Sequence, residues 1–253
     1  MFMSWLLEVF GMPYVIRPIA LCAGTRDQSQ WTYRWNIGCK GPSACYIWYL
    51  EGSDPITIID AGAQAEHYTN PEFPMSDLIS LEEGLQRYGL TPGDVKQVIV
   101  THLHFDHIAL SRKYSNAIFI VQNKEMIFAK NPHVFLSVDY NPEYFSGLNC
   151  RLLEGDQEVM PGVKVLLTPG HSLGGQSVAV ATRKGQAIIT GFCAQMSTFI
   201  QTSAMKARGL EVAAAGLHID CREVYDSALR VKLAADVIVP VHDPMFMEMD
   251  RIG

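Results

Sequence analysis

From Val98 to His107 the chain reads Val-Ile-Val-Thr-His-Leu-His-Phe-Asp-His, an apolar run that ends on His102, His104, Asp106 and His107. These four side chains offer imidazole nitrogen and carboxylate oxygen, the donors that zinc, iron and manganese accept. Grouping them on one loop fixes much of a coordination geometry before any ion arrives. The competing reading is a polar loop whose histidines merely cap and hydrogen-bond, and it gives no packing reason for such a cluster at a strand end. Two further histidines share this context. His171 follows the apolar run 163–167 through Thr168-Pro-Gly and sits in the turn Gly170-His-Ser-Leu-Gly-Gly175. His242 ends the run 237–241 within Pro240-Val-His-Asp-Pro244. Layered folds of strands and helices gather their sites at strand ends, so all six side chains are candidates for one metal-binding site.

Strands must deliver these residues. Short runs rich in branched and aromatic residues cover 44–50, 56–59, 95–100, 117–121, 163–167, 177–181, 187–189 and 237–241, and each reads as a strand. A helix is expected from Ser80 to Tyr88, where Ser80 and Glu83 form a capping box and Leu81, Leu85 and Tyr88 share a face. A second helix begins at Asp220 and carries Val224, Ala228, Val231 and Ala235 at helical spacing. The class is therefore α+β, with sheets covered by helices. No repeat and no low-complexity linker divides the chain, which reads as one domain over 1–253 with an apolar N-terminal arm over 1–20. The arm's Phe2, Trp5, Leu6, Leu7, Val9 and Phe10 suit packing on the body, a dimer contact or a lid.

The motif Thr101-His-x-His-x-Asp-His107, followed by Gly170-His171 and His242 and preceded by Asp60 in Thr57-Ile-Ile-Asp-Ala-Gly62, resembles the metallo-β-lactamase superfamily. The resemblance runs from about residue 44 to residue 245. Within it, Asn116-Ala-Ile-Phe-Ile-Val-Gln, the stretch from Thr168 to Val178, and Gly216-Leu-His-Ile-Asp resemble the N-acyl homoserine lactonase branch. It implies an αβ/βα sandwich of two mixed β-sheets flanked by helices, with the site in a cleft at one edge. It also implies that His102, His104 and His171 hold one metal and Asp106, His107 and His242 a second. Three ligands per ion leave a position open, so the implied chemistry is attack by a metal-bound hydroxide on a carbonyl-like carbon of a small molecule such as a lactone, amide, thioester or isothiocyanate. Asp106 and His107 would be catalytic through the ion they hold. Asp60 either orients a ligand from behind or simply ends its strand.

The chain departs from the family pattern in one stretch. Where the family carries an aspartate bridging both metals, Thr190-Gly-Phe-Cys-Ala-Gln195 has Phe192, which cannot ligate. Losing an anionic bridge weakens the second position, so the expected complement is two zinc ions or one, with iron or manganese also compatible with the donors. Cys193 is either the replacement ligand, as a thiolate, or a small buried thiol behind the site. Gln195 falls where the lactonases carry a tyrosine, and its amide could donate to an oxyanion but not protonate a leaving alkoxide. His218 either starts the last helix or touches substrate at the pocket wall, and Phe192 itself joins the candidate substrate contacts. His67 and His133 read as surface residues. The aromatic residues Trp31, Tyr33, Trp35, Tyr46 and Trp48 suit a pocket floor or, for the last two, core packing along one strand face. A non-catalytic or mononuclear member of the fold, or an iron-dependent dioxygenase, are the alternative functions.

Composition excludes other classes. With 253 residues and 48% hydrophobic content a full core is available, and 20 Lys and Arg against 26 Asp and Glu give a net charge of −6. No basic run offers a footprint for nucleic acid. The longest apolar run, 1–16, is broken by Glu8 and Gly11 and is too short to span a bilayer. No positive stretch precedes it and no small-residue cleavage site ends it, so a cytoplasmic protein with a small-molecule substrate is expected. The six cysteines form no Cys-x-x-Cys pair and read mostly as buried free thiols.

Overall fold

The computed structural model describes residues 13–253. Among these residues twelve strands form two sheets: β1 (Val15–Asp27), β2 (Lys40–Glu51), β3 (Thr57–Ile59), β4 (Met75–Asp77), β5 (Gln97–Ile99), β6 (Ile118–Gln122), β7 (Cys150–Leu153), β8 (Gln157–Met160), β9 (Val163–Leu167), β10 (Gln176–Thr182), β11 (Gly185–Ile189) and β12 (Val237–Val239). The first sheet has the order β4-β1-β2-β3-β5-β6-β7 and the second β12-β11-β10-β9-β8. Pairing is antiparallel through β1, β2 and β3 and parallel from β3 to β7, while the second sheet is antiparallel except for β11 and β12.

Side-chain alternation along the strands builds the layers. Tyr46, Trp48, Ile59, Ile99 and Ile120 of the first sheet meet Val163, Val165, Val178, Val180 and Ile189 of the second in the central core. The intervening residues Ile47, Ile58, Val98, Phe119 and Val121 face outward under Leu81 and Leu85 of the helix Leu81–Gln86 and Met126 of the helix Asn123–Ala129. On the far side, Leu166, Ala179 and Ile188 lie under Val224, Ala228 and Val231 of the helix Cys221–Ala234. The result is helix, sheet, sheet, helix, the expected sandwich. Tyr46 and Trp48 stack with ring centroids 4.8 Å apart, so both belong to the core.

Local expectations are met where chemistry is local. Ser80 Oγ accepts from the Glu83 backbone at 3.2 Å and the Glu83 carboxylate accepts from the Ser80 backbone at 3.0 Å, closing the capping box. Asp220 accepts from Arg222 and Glu223 N–H groups at 2.8 and 3.1 Å. Of the arm, residues 15–20 begin β1, an interior strand of the first sheet between β4 and β2, which agrees with packing on the body for that part. Pro18 and Gly24 disguise that strand, since both normally weaken a ladder. Phe2, Trp5, Leu6, Leu7, Val9 and Phe10 lie outside the described residues. No helix among those described is long and apolar enough to cross a membrane.

Candidate metal centre

Strands β3, β5, β9, β11 and β12 end on one edge of the sandwich, and each hands over a site residue as it ends. Beyond β5, Thr101 leads into His102, His104 and the short helix Phe105–Ile108, which carries Asp106 and His107. That helix is pinned by the His107 carbonyl, which accepts from Ala61 N–H at 2.8 Å in the loop after β3. Across the sheet interface, Gln176 donates its backbone N–H to the Thr101 carbonyl at 2.9 Å, locking the two sheets in register beside the site. After β9 the chain turns at Gly170, where φ is +111° and a Cβ would lie 2.1 Å from the Val224 nitrogen, so only glycine lets His171 sit this close to the helix Cys221–Ala234.

The six donors converge. His102 Nε2 and His171 Nε2 lie 3.2 Å apart, near the roughly 3.3 Å expected between two nitrogens on one tetrahedral zinc ion. His102, His104 and His171 form one group with mutually close donor atoms, and His102, Asp106 and His107 form another. Asp106 Oδ2 is 3.5 Å from His107 Nε2 and 3.6 Å from His242 Nε2, so the last two groups share the Asp106 carboxylate between them.

The outer nitrogens decide the tautomers. His171 Nδ1 donates to the Leu217 carbonyl at 2.7 Å and His242 Nδ1 to the Ala44 carbonyl at 3.1 Å, which leaves both Nε2 lone pairs facing inward. His107 Nδ1 donates to Asp60 Oδ2 at 2.7 Å. Asp60 also accepts from Thr101 N–H at 2.7 Å and from the Thr101 hydroxyl at 3.0 Å, and it does so from a left-handed backbone with φ 60°. The structure therefore sets Asp60 behind His107, fully buried.

Electrostatics match this geometry. Burial, reinforced by the neighbouring histidines, pushes His102 and His104 well below the usual imidazole range. His171 and His242 fall to about 4, again chiefly through burial. For His107, burial disfavours the charge but the Asp106 and Asp60 carboxylates outweigh it and lift the ring to about 9. Asp106 is held near 2 by the surrounding histidines despite its burial. Four neutral imidazoles beside a carboxylate are an uncommitted donor set, and among the described residues His107 Nε2, which is buried, has no hydrogen-bond partner. An orphaned ring nitrogen aimed at a carboxylate and a second imidazole is what a bound cation satisfies, so the residues present fit a metal.

Residues 41–242 match the family model of the metallo-β-lactamase superfamily. The chain belongs to that superfamily. Among its relatives in the superfamily, the N-acyl homoserine lactonase of Bacillus cereus is 39% identical over 105 residues, which is 42% of this chain and 40% of that protein. The N-acyl homoserine lactonase AttM of Rhizobium radiobacter is 31% identical over 143 residues, 49% of this chain and 54% of that one. Both matches thus span less than two thirds of the relative's length. A solved quorum-quenching N-acyl homoserine lactone lactonase superposes with a TM-score of 0.74 at 25% identity, covering 94% of this chain and 95% of that one.

Other candidate residues of this superfamily member fall elsewhere than expected. Phe192 is fully buried in the core beneath the helix Cys221–Ala234, 6.4 Å from Phe199 between ring centroids, and does not line the cavity. Its successor Cys193 faces the opposite way and does line it. Burial pushes the Cys193 thiol well above its ordinary range, Asp106 adds to this, and Arg26 opposes it. Gln195 is not available to substrate: its amide donates to the Pro42 carbonyl at 2.9 Å and the His242 carbonyl at 3.3 Å, bracing the His242 loop. His218 is also absent from the cavity wall, because its Nδ1 donates to the Ala215 carbonyl at 2.6 Å and its ring packs edge-on to Tyr33; Leu217 lines the wall instead. His67 is a wall residue rather than a surface one, while His133 is exposed.

The cavity over the donors measures about 430 Å³, and His104, Asp106, His171, Cys193 and His242 form its base. Trp31 packs against His242 with centroids 5.4 Å apart, so of the aromatic group it is the one on the wall. Sequence reasoning missed Glu125. Fully buried, it accepts from Leu103 N–H at 3.0 Å and Gly174 N–H at 2.9 Å, clamping the His102–His104 loop to the His171 turn. Nothing in Asn123-Lys-Glu-Met-Ile-Phe-Ala129 marks it, since a glutamate in the first turn of a short helix normally faces water. Arg26, Tyr68 and Asp139 were missed for a similar reason: they reach the cavity from segments with no motif.

Proposed function

We propose that this chain is a metal-dependent hydrolase that opens a carbonyl-like carbon of a small molecule, such as a lactone, amide, thioester or isothiocyanate, with zinc as its cofactor and two ions as its complement. The observation that carries this reading is the donor set at the cavity base: five imidazoles and one carboxylate converge, and the buried Nε2 of His107 has no partner among the described residues. In this reading His102, His104 and His171 would hold one ion and Asp106, His107 and His242 the other, and Cys193, which lines the same cavity, would offer a further donor where the family's aspartate is lost. Divalent cations held there supply Lewis acidity and draw the pKa of water toward neutral.

The chain's own residues do the rest. Asp60 holds the proton on His107 Nδ1, and the Leu217 and Ala44 carbonyls do the same for His171 and His242. Trp31, Tyr68 and Phe73 wall the cavity and give it apolar surface for the body of a substrate. Asp139 lines the same cavity, and burial beside Asp106 lifts its carboxyl to about 6, a value suited to giving a proton to a departing group near neutral pH. The lactonase relatives support the lactone as the first substrate to try.

The test is metal content by mass spectrometry together with turnover of N-hexanoyl homoserine lactone, thioesters, amides and isothiocyanates. His104→Ala is expected to lose both turnover and metal. A His104→Ala protein that stays active and fully loaded overturns the reading.

A further inference from the structure

One cavity residue has no place in the chemistry above. Arg26 lies on β1 and is only 7% exposed, yet it lines the cavity. A guanidinium carries five N–H donors and its charge persists at any physiological pH. Here one of them is placed, at 3.2 Å from the Thr25 carbonyl. Among the described residues no carboxylate forms an ion pair with it, although two acidic side chains, Asp106 and Asp139, line the same cavity. Instead the guanidinium lies over two aromatic faces, 5.4 Å from the Tyr68 ring and 5.3 Å from the Phe73 ring.

A buried cation without an anion is costly, and folds keep one only where something completes it. The aromatic faces offset part of that cost and hold the fork in a fixed orientation. Among the described residues its other N–H groups have no protein acceptor, on a residue that lines the cavity. The planar fork matches a carboxylate with two parallel N–H···O bonds, and the burial of Arg26 strengthens that pairing. The flanking wall is apolar and aromatic: Tyr68, Phe73, Phe105 and Tyr144 border the same space. An apolar wall with a single buried cation fits an organic anion better than an inorganic one, because the apolar body buries itself while its charge finds the one complementary partner.

We propose that Arg26 is a specificity-determining residue, and that the substrate of this site is an apolar small molecule bearing a carboxylate in addition to the carbon that reacts. This deepens the hydrolase reading and rests on it for the word substrate. The recognition itself is tested by binding, so that the two can fail separately.

The probes are 4-phenylbutyrate and its neutral isostere 4-phenylbutyramide, titrated calorimetrically into the purified full-length protein with its resident metal. The acid is expected to bind at least tenfold more tightly than the amide. Arg26→Gln is expected to abolish that preference, and Arg26→Lys to retain part of it, since lysine keeps the charge but not the fork. The unchanged thermal midpoint and near-ultraviolet spectrum of Arg26→Lys separate a recognition defect from misfolding. Equal binding of acid and amide by the wild type, no binding of either, or a preference that survives Arg26→Gln each overturns the proposal; the last outcome would put the carboxylate on the metal instead. Failure to hydrolyse any ester or lactone, with the acid preference intact, would refute the hydrolase reading and leave Arg26 as an anion-recognition residue.

Discussion

Replacing Asp60 by asparagine tests how much of the site depends on a residue that touches no substrate. The change is isosteric. The remaining amide oxygen still accepts the Thr101 N–H now held at 2.7 Å, and the Thr101 hydroxyl can reverse its role at the other side-chain atom. What cannot be preserved is the 2.7 Å bond to His107 Nδ1, because the new NH₂ group would face an N–H. His107 must then accept at Nδ1 and carry its proton on Nε2, the nitrogen that faces Asp106 and the cavity base. A charge-assisted buried hydrogen bond contributes about 1.5–3 kcal/mol. Partners of this kind behind a metal-binding histidine change affinity roughly ten- to hundredfold. We therefore expect Asp60→Asn to weaken zinc binding by roughly ten- to hundredfold while the protein stays folded. Competition with a chromophoric chelator measures the affinity, and nitrogen-detected correlation of the imidazole rings reads the tautomer. Zinc affinity within twofold of wild type, or a His107 ring still protonated at Nδ1, would show that Asp60 serves the turn after β3 and not the metal site.

Two further outcomes follow from the same geometry. Cys193→Ser should lower zinc stoichiometry more than Cys150→Ser does, because Cys193 lines the cavity beside Asp106 whereas Cys150 lies on the edge strand β7; equal stoichiometry in the two variants would make Cys193 a bystander. The chelator-stripped protein should lose stability as pH falls from about 6.5 to about 4. His171 and His242 titrate near 4 when folded and higher when unfolded, so across that window the unfolded chain binds more protons and stability rises with pH. Urea midpoints that stay constant over this range would contradict the buried, neutral state of these rings.

The site's position along the chain was legible because its donors are chemically distinctive and its strands end where the apolar runs end. His102, His104, Asp106, His107, His171 and His242 were each identified at a strand terminus, and the fold carries all six to one edge. The alternation of β2 and β9–β11 was equally plain, since each position faces one of two layers. Strands β4, β7 and β8 were invisible for the opposite reason: they sit at or near sheet edges, with a half-polar composition that carries no period. β1 was missed through Pro18 and Gly24, whose local preferences the pairing with β2 overrides across the whole strand.

Sequence alone determined the metal-binding chemistry, the sandwich class and the superfamily, because donor types, spacing and hydrophobic period are properties of neighbouring residues. Only the tertiary structure decided which atoms meet. It turned Phe192 into the core and Cys193 toward the cavity, took up the Gln195 amide in holding the His242 loop, removed His218 from the wall, and brought Glu125 and Arg26 to the site from segments without a motif. These are decisions about side-chain direction and long-range contact. A single peptide's rotation exchanges two faces of a chain, and the energy that chooses between them comes from packing partners that are distant in sequence.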